Sequence, residues 1–498
     1  MIFGISINHT IEPDHKEWRH MLNRFQTLSD SGKEKIHAAC MEVLGKTGVV
    51  FEDDEALAIF KANDFSVEGN KVFFREEQVM KALETAPSEF LIRARDPEKT
   101  VRIGGDHFVL SPGWGAPFMI DADGTRRSAT MEDADNCLKL AQSSPYIDMA
   151  ASGMVCPPDL NPKTASAELL ASTFIHSDKP LTGNPCSREN AVELLEMASI
   201  VWGSREEVMK SPVAITSINP TSPLIFGPEA AGSVIELARG GQALLISSMV
   251  MAGLSGPITL AGTAVLEMAE SLAGVVLAQL VRPGTPCVCG GTSCGADLRL
   301  CSATIGSPEL LKMMNIATEM ARYYGLPCRY GGGLTDAHAP DAQAGMESAL
   351  TMALSLAAGT HYMHQACGIL GAYTAMSLEK FVMDEELAGA LRRALQPVEI
   401  TDETLALDTI TRLGAGSSFL MEPTTAMRCR TEFFLPTLAY RNNYTKWEAA
   451  GKPQLTDTAR LHVRERLSAY TKPDMDPAIE KDLMAYIDAR RASSSTAA

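Results

Sequence analysis

Short apolar runs alternate with longer helical patterns from about residue 107 to residue 395. Each run has the length of a buried strand, and the following pattern repeats apolar residues every three to four positions. Counting the first two runs as one position gives eight strand–helix units, which predicts an α/β fold of the (β/α)8 TIM-barrel type. A doubly wound sheet is the alternative. The runs are Phe108–Pro112 with Pro117–Ile120, Ile147–Val155, Pro180–Gly183, Val213–Ile218, Ala243–Met249, Cys287–Gly291, Pro327–Tyr330 and Thr360–His364.

The two flanks of this region have other patterns. Residues 1–105 predict a mostly helical extension that includes a hairpin over Val67–Phe74. Residues 396–498 predict a helical tail whose helices lie on the surface or face another subunit, and its last residues are expected to be disordered. Residues 106–395 would then form the barrel domain that carries the site.

Composition narrows the classes of function. The 498 residues include 44 Lys and Arg against 61 Asp and Glu, and a net charge of −17 argues against nucleic acid or an anionic membrane as partner. No run reads as long and apolar enough to span a membrane, and the N-terminus lacks the regions of a signal peptide. Eleven cysteines, mostly in apolar contexts, suit a reducing cytoplasm.

A glycine-rich segment follows the seventh predicted strand. Tyr330 ends the apolar run, Gly331–Gly333 come next, and a polar turn with Asp336 and His338 precedes a long helix. Glycines permit close approach and unusual backbone angles, and functional side chains concentrate in loops held by a rigid scaffold. The segment is therefore expected to belong to a site, although capping a loop or helix is the commoner role of an aspartate such as Asp336.

Aromatic residues are scarce, so those near the predicted strand ends stand out. They are Trp114, Phe118, Tyr330 and Tyr362. Any one of them is most simply a packing residue, but together they would form a cage for a quaternary ammonium ion. The chain has no glycine-rich phosphate loop before a helix, which argues against nucleotide chemistry.

Two groups of residues raise the question of a metal. Cys287, Cys289, Cys294 and Cys301 lack the paired spacing of a zinc site, so packing is the favoured interpretation. His361 and His364 are three apart on a predicted strand and would point to opposite faces, which makes joint ligation improbable. No metal ligand is assigned.

Three segments resemble the trimethylamine methyltransferase superfamily: Ser111–Arg127, Gly331–Glu347, and Arg430–Leu438 with Trp447–Gly451 in the tail. The resemblance extends over nearly the whole chain. It implies a TIM barrel that passes a methyl group from a methylated amine to a separate corrinoid protein. The archaeal trimethylamine enzymes carry pyrrolysine near the seventh strand, whereas this chain has ordinary residues from Tyr330 to Asp336. It therefore resembles the non-pyrrolysine branch, which acts on quaternary amines.

The resemblance implies a reaction and a partner. Glycine betaine is the favoured substrate and would give dimethylglycine, with proline betaine, carnitine and γ-butyrobetaine as alternatives. Cob(I)alamin, supplied by a cognate corrinoid protein, would accept the methyl group, and no cofactor would be tightly bound by this chain. A quaternary amine leaves as a neutral tertiary amine, so positioning and desolvation are the expected work of the enzyme and no catalytic residue is assigned. A homo-oligomer is expected.

The implied site has two parts. His364, Gln365 or a loop amide would hold the carboxylate of a betaine, and the four aromatic residues would hold the ammonium. The loop Gly331, Gly332, Gly333 and Asp336 would face the corrinoid. A zinc-dependent methanol or methylthiol transferase and a non-catalytic betaine-binding protein are the alternative functions, and Asp336 and His338 have no individual role assigned.

Overall fold

The computed structural model describes residues 25–183 and 187–496. Residues 1–24, for which no signal peptide was expected, lie outside the described residues. Within the described ranges the α-helices are α1 (Asp30–Glu42), α2 (Asp54–Ala62), α3 (Glu76–Leu83), α4 (Met131–Ser143), α5 (Ala165–His176), α6 (Arg188–Trp202), α7 (Arg205–Lys210), α8 (Pro228–Arg239), α9 (Leu260–Val281), α10 (Pro308–Tyr323), α11 (Ala342–Ala358), α12 (Leu378–Leu395), α13 (Asp402–Leu405), α14 (Leu407–Leu413), α15 (Pro423–Arg428), α16 (Tyr444–Ala449), α17 (Leu455–Ala469) and α18 (Pro477–Thr496).

The strands are short, and most connect to helices. They are β1 (Val49–Phe51), β2 (Ser66–Glu68), β3 (Lys71–Phe73), β4 (Glu89–Ile92), β5 (Val101–Gly104), β6 (Val109–Leu110), β7 (Phe118–Ile120), β8 (Arg126–Ser128), β9 (Ala150–Ala151), β10 (Leu181–Gly183), β11 (Ala214–Ile218), β12 (Ile225–Phe226), β13 (Ala243–Ile246), β14 (Met251–Ala252), β15 (Cys287–Cys289), β16 (Cys294–Asp297), β17 (Ser302–Thr304), β18 (Arg329–Gly331), β19 (Tyr362–His364), β20 (Ile369–Leu370) and β21 (Ala375–Met376). The fold is α/β.

Eight strands match the eight predicted positions and pair in parallel. β9, β10, β11, β13 and β15 are neighbours in one sheet, and β18, β19 and β6 are neighbours in another. Cys289 forms a parallel bridge with Cys328, which joins β15 to the start of β18. The amides of Asp148 and Met149 donate to the Leu110 carbonyl, which joins β6 to the segment before β9.

The run Pro117–Ile120, which was counted with Phe108–Pro112 as the first strand position, does not join these parallel strands. Phe118–Ile120 forms β7, which lies in a separate sheet of order β20-β21-β7-β8. This part of the prediction was wrong, because Gly113 and Gly115 break the apolar run and β7 pairs with Ala375 and Met376 instead.

The parallel strands divide their side chains between two cores. Leu244 packs among the residues of α6, α8 and α9, whereas its neighbour Leu245 belongs to a separate cluster. That inner cluster also contains Phe90 and Ile92 from β4. Because strand side chains alternate in direction, one face meets the helices and the other meets the facing strands. The β4–β5 hairpin covers the N-terminal end of the strands, where the Arg93 amide donates to the Pro212 carbonyl.

Helix α9 corrects one expectation. Leu260–Val281 is long and apolar enough to span a membrane by length and composition, contrary to the sequence prediction. In the folded protein, 78% of the most apolar 18-residue stretch of this helix is buried. Glu267 and Glu270 also belong to the helix, and both are fully buried. The burial of all its sides accounts for its apolar composition, since a helix that is hydrophobic all round is a core helix or a membrane span.

The flanking segments largely follow the sequence pattern. β2 and β3 form the predicted hairpin, with Glu68 paired to Lys71. The tail ends differently, because α18 continues through Thr496 rather than becoming disordered from Ser493 onward. Leu483 and Ile487 of α18 are buried in the main core, and this packing supports the helix that the serines extend.

Candidate active site

Arg329 is a buried cation on the inner face of β18. It is 3% exposed, its Nη1 donates to the Gly291 carbonyl at 2.6 Å, and its Nη2 donates to His364 Nδ1 at 3.2 Å. Among the described residues no carboxylate lies within ion-pair distance of it. Burial lowers the pKa of Arg329, but a guanidinium keeps its proton in a protein. A buried positive charge without a direct counter-ion is a strong candidate for anion binding.

The bond to Arg329 fixes the tautomer of His364. A guanidinium only donates, so His364 Nδ1 must accept, and the proton of the neutral ring is on Nε2. Burial, followed by the charge of Arg329, holds the pKa of His364 well below its usual value, so the ring is neutral. Nε2–H is buried and has no hydrogen-bond partner among the described residues. His364 therefore presents a free donor.

Two aromatic rings lie beside His364. The ring centroid of Trp114 is 5.9 Å from that of His364, and the centroid of Tyr362 is 5.8 Å away. The Tyr362 hydroxyl is 2.6 Å from Thr182 Oγ1, so its polar end is already engaged. Tyr362 and His364 share a strand face because they are two residues apart on β19. These contacts bring the predicted site residues Trp114, Tyr362 and His364 together, while their roles stay predictions.

Gln365 holds Trp114 in place through both ends of its side chain. Its Oε1 accepts from the Trp114 amide at 2.8 Å, and its Nε2 donates to the Trp114 carbonyl at 3.3 Å. The Nε2 amide group has a second N–H that these contacts do not use, so the role of Gln365 as a carboxylate ligand stays a prediction. Its φ of 64° is unusual for a residue other than glycine, and such strain is concentrated at functional sites.

Four buried donors around Arg329 lack acceptors within the described ranges. They are Trp114 Nε1, His364 Nε2, Arg329 Nε and the Tyr373 hydroxyl, although Thr292 lies close to the last of these. Tyr373 is an electrostatic neighbour of Arg329, and its φ of 73° adds a second strained residue. Buried polar groups in native proteins are almost always hydrogen-bonded. A group of unmatched donors indicates that an acceptor, such as a carboxylate, completes the site.

Glu267 adds a buried acid to the same neighbourhood. Both of its carboxylate oxygens are buried and lack a well-formed hydrogen bond, although Ser293 and the Gly291 amide are close. Burial raises the pKa of Glu267 to about 7, against the opposing effects of Ser293 and Arg329. A strongly perturbed acid beside an unpaired arginine is typical of a functional site. We call Trp114, Glu267, Arg329, Tyr362, His364 and Tyr373 the Arg329 cluster.

Tyr330 and Phe118 have other contacts than the Arg329 cluster. Tyr330 follows Arg329 on β18 and so points to the opposite face, where it packs with Met313 and Met314 of α10 and donates to the Ser293 carbonyl at 2.8 Å. The guanidinium of Arg126 lies over the Phe118 ring at 4.3 Å. The roles of both rings in holding an ammonium stay predictions.

The glycine loop is packed rather than open. Gly331, Gly332 and Gly333 are buried, and a Cβ on Gly332 would lie 2.6 Å from Met363 Sδ. Close packing is thus what requires these glycines, and His338 is the exposed residue of the loop. The expectation that the three glycines present a surface to a corrinoid protein does not fit their burial.

Asp336 and Lys380 tie the strand-end loops together. Asp336 accepts from the amides of Ile305 and Gly306 at 2.9 and 3.0 Å. It therefore connects the loop after β18 to the segment between β17 and α10. Lys380 Nζ of α12 is buried and donates to the Gly333 carbonyl at 2.9 Å and to Asp384 at 2.5 Å. Asp384 in turn accepts from the Gly368 amide at 2.9 Å in the eighth loop. The role of Asp336 is therefore structural.

The residues considered for metal binding are dispersed. Cys287 and Cys289 pack in the main core against the helices, Cys294 lies in a separate cluster, and Cys301 is exposed. No group of three or more His, Cys, Asp or Glu side chains is arranged to hold a metal in the part of the chain that the structure describes. His361 accepts from the Cys328 amide at 3.0 Å, so it serves the start of β18, not the Arg329 cluster.

Sequence reasoning missed Arg329, Tyr373 and Glu267. The alternation rule could have found Arg329, because an arginine inside an apolar strand needs a reason to be buried. Glu267 was similarly visible as a carboxylate within an apolar helix. Tyr373 gave no such indication, because it lies in an irregular loop whose path the pattern does not determine.

The chain is similar to known proteins over most of its length. The family model described as trimethylamine methyltransferase (MTTB) matches residues 6–495. A glycine betaine methyltransferase of Desulfitobacterium hafniense is 38% identical over 94% of this chain and 98% of its own length. A proline betaine:corrinoid methyltransferase of Eubacterium limosum is 32% identical over 92% and 96%. The crystal structure of the Methanosarcina barkeri monomethylamine methyltransferase aligns with a TM-score of 0.48, at 13% identity over 91% of this chain and 97% of that one. The chain belongs to the trimethylamine methyltransferase (MTTB) family.

Proposed function

We propose that this protein transfers an N-methyl group from a quaternary amine, glycine betaine first, to the cob(I)alamin of a separate corrinoid protein, releasing dimethylglycine. The observation that carries the substrate class is Arg329, a buried cation surrounded by donors that lack acceptors. Trimethylamine has no anionic group to place beside this cation, whereas a betaine brings a carboxylate. The 38% identical relative named as a glycine betaine methyltransferase supports the same choice.

The carboxylate end of the substrate binds at Arg329 and His364. Arg329 supplies the charge, and His364 Nε2–H supplies a neutral donor whose tautomer Arg329 itself enforces. The Tyr373 hydroxyl and Trp114 Nε1 are additional buried donors in this neighbourhood. Gln365 orients Trp114, and the second N–H of its amide is a further candidate donor to the carboxylate.

The ammonium end binds against aromatic faces. The rings of Trp114 and Tyr362 are 5.9 and 5.8 Å from the neutral ring of His364, and Trp is the strongest aromatic partner for a cation. The attraction between the aromatic rings and the ammonium should be modest. The positive charge on nitrogen decreases as the C–N bond breaks, so rings that bind the substrate more strongly than the transition state would slow the reaction. A cage of one Trp and one Tyr fits that requirement better than the four rings expected from sequence.

The chemistry needs little from protein side chains. The reduced corrinoid of the partner supplies the nucleophile that takes the methyl carbon, and the C–N electron pair stays on nitrogen. The leaving tertiary amine is neutral and requires no proton, so the enzyme holds the carboxylate, aligns the N-methyl group and excludes water. Buried and rigid residues such as His364 and Tyr362 suit that work.

Anaerobic incubation of the protein with glycine betaine and a reduced corrinoid protein tests the function. We expect dimethylglycine and methylated corrinoid in equal amounts. Proline betaine, carnitine and γ-butyrobetaine are assayed in parallel, and a higher kcat/KM for one of them would change the substrate but keep the class. Failure of methyl transfer from every betaine would leave only ligand binding and overturn the proposal.

The fold proposal is a closed (β/α)8 barrel over residues 106–395. It is supported by the pairing of β6, β9, β10, β11, β13, β15, β18 and β19 and by the links from Cys289 to Cys328 and from Leu110 to Met149. Residues 1–105 then form the N-terminal extension and residues 396–498 the tail. The Arg329 cluster lies at the barrel interior in this proposal, as expected for this fold. A cytoplasmic location is proposed as well, because the ten cysteines in the described residues are free thiols.

The tail supports a homo-oligomer. Its exposed apolar side chains occupy α13 to α16 and their connections; those more than 60% exposed include Val398, Ile400, Leu407, Leu420, Met421, Met427 and Phe433. At about 100 Å² each, these and their neighbours expose on the order of 1,000 Å² per copy, which exceeds the ~800 Å² per partner of a standard interface. Such short helices need a permanent neighbour. A second copy of this chain is always available, whereas the corrinoid protein must bind and leave during turnover.

A further inference from the structure

A second group of exposed apolar side chains lies apart from the tail. Leu254, Ile258, Leu298 and Leu300 are 42%, 62%, 51% and 73% exposed. We call these four residues the exit patch. Single exposed leucines are common on protein surfaces, but contiguous apolar groups indicate a contact surface.

The four side chains belong to one surface. Leu254 and Ile258 lie in the connection from β14 to α9, and Leu298 and Leu300 lie in the turn between β16 and β17. β14 and β16 are parallel neighbours, and both connections approach Gly253. A Cβ on Gly253 would be 2.7 Å from Ile258 Cδ1 and 3.2 Å from Leu298 Cδ2. Gly253 thus lets the two loops close against each other.

The exit patch and the Arg329 cluster are connected through the loop between β15 and β16. The loop between β15 and β16 supplies the Gly291 carbonyl that Arg329 bonds and the Ser293 carbonyl that Tyr330 bonds. Ser293 Oγ also accepts from the Val250 amide at 3.0 Å, which connects this loop to the start of β14. The patch therefore lies at the C-terminal ends of the parallel strands, the end that carries the candidate site.

We propose that the exit patch is the docking surface for the protein that carries the corrinoid acceptor; this inference rests on the proposed function. A macromolecular acceptor has to approach the ends of the strands where the substrate is held. A permanent neighbour at this place would obstruct that approach, so a second copy of the chain does not fit here. Four side chains expose an area in the range of small transient interfaces, as a partner that leaves after each transfer requires.

The test compares two methyl acceptors. The Ile258→Ser/Leu300→Ser double variant is assayed with glycine betaine and either the cobalamin-loaded corrinoid protein or free reduced cobalamin. We expect the KM for the corrinoid protein to rise at least 10-fold, while transfer to free cobalamin and the Kd for glycine betaine stay unchanged. Leu91→Ser is the matched control, because Leu91 is 39% exposed on β4 at the opposite end of the strands.

Each outcome supports or overturns the proposal. An unchanged KM for the corrinoid protein in the double variant, or an equal rise in Leu91→Ser, would overturn the docking surface and leave the proposed function intact. A change in sedimentation of the double variant would assign the patch to self-association instead. If the wild-type protein transfers no methyl group even to free cobalamin, the proposed function fails and this proposal fails with it.

Discussion

Arg329 brings a full positive charge into a space where the described residues offer it one carbonyl and one imidazole nitrogen. Within the described residues, the neighbouring donors on His364 and Tyr373 also lack a well-formed hydrogen bond. Unmatched buried donors beside a buried cation favour a ligand that carries an anionic acceptor. In the proposed function, this feature separates betaines from simple methylamines at the scale of single residues.

Replacing Arg329 by methionine should weaken glycine betaine binding. The variant keeps the unbranched apolar stem of the side chain and removes a charge-assisted contact of about 1.5–3 kcal/mol, so Kd should rise about 10- to 100-fold. Isothermal titration measures the change, and Arg329→Lys should show a smaller loss because it keeps the charge. Arg322→Met is the control, since Arg322 bonds the Gly359 carbonyl at the start of the strands. Equal affinity in wild type and Arg329→Met would remove Arg329 from the site.

Glu267 should make stability depend on pH. Its folded pKa is raised to about 7, so the folded state binds a proton that the unfolded state has already released between about pH 4.5 and 7. The stability associated with this group is present below pH 4.5 and is lost as pH rises through 7. Glu267→Gln should therefore raise Tm relative to wild type at pH 8, with a benefit on the order of 3 kcal/mol that disappears toward pH 5. A difference in Tm that does not vary with pH would contradict this.

Helix α12 shows how one element organises two loops. Lys380 and Asp384 are one turn apart and form a buried ion pair, from which Lys380 reaches the Gly333 carbonyl and Asp384 reaches the Gly368 amide. Burial raises the pKa of Asp384, and the charge of Lys380 acts against this. The loop after β18, which follows Arg329, and the loop after β19, which follows His364, are thus both hydrogen-bonded to the single helix α12.

Lys380→Met should loosen both loops. Breaking one partner of a buried pair costs about 3–5 kcal/mol, so Tm should fall by several degrees, and hydrogen exchange should accelerate at residues 331–335 and 365–368. Lys380→Met/Asp384→Leu should recover part of the stability, because no unpaired charge remains. Glu385→Gln is the control, since it removes a salt bridge from the same helix whose partner, Arg466, lies on α17. Exchange that accelerates equally in the control would show that the effect is not specific to the loops.

At the scale of the whole molecule, the two apolar surfaces have different sizes and places. The tail residues from Val398 to Tyr444 form an extended set on short helices, whereas the exit patch comprises four side chains beside the site. An extended apolar set requires a permanent cover and a small set fits a transient one. The molecule is therefore expected to assemble with itself through its tail and to leave the strand ends free for the acceptor.

Substitution in the tail should change the assembly state. Leu420→Ser/Met421→Ser removes two side chains that are 76% and 89% exposed, so it should lower the mass measured by sedimentation at micromolar concentration. Leu91→Ser, at an exposed position on β4, should leave the mass unchanged. A wild-type protein that sediments as a monomer would contradict the assignment of the tail.

The sequence by itself determined the eight strand positions, because the spacing of apolar residues and the presence of turn residues are local properties of each segment. It also indicated Trp114, Tyr362 and His364, and the resemblance of three segments indicated the family. The direction of Tyr330, the engagement of Gln365 and the union of Glu267, Arg329 and Tyr373 were decided only by the tertiary structure. Those properties depend on which strand face turns inward and which distant loops meet, and neither is encoded in a local pattern.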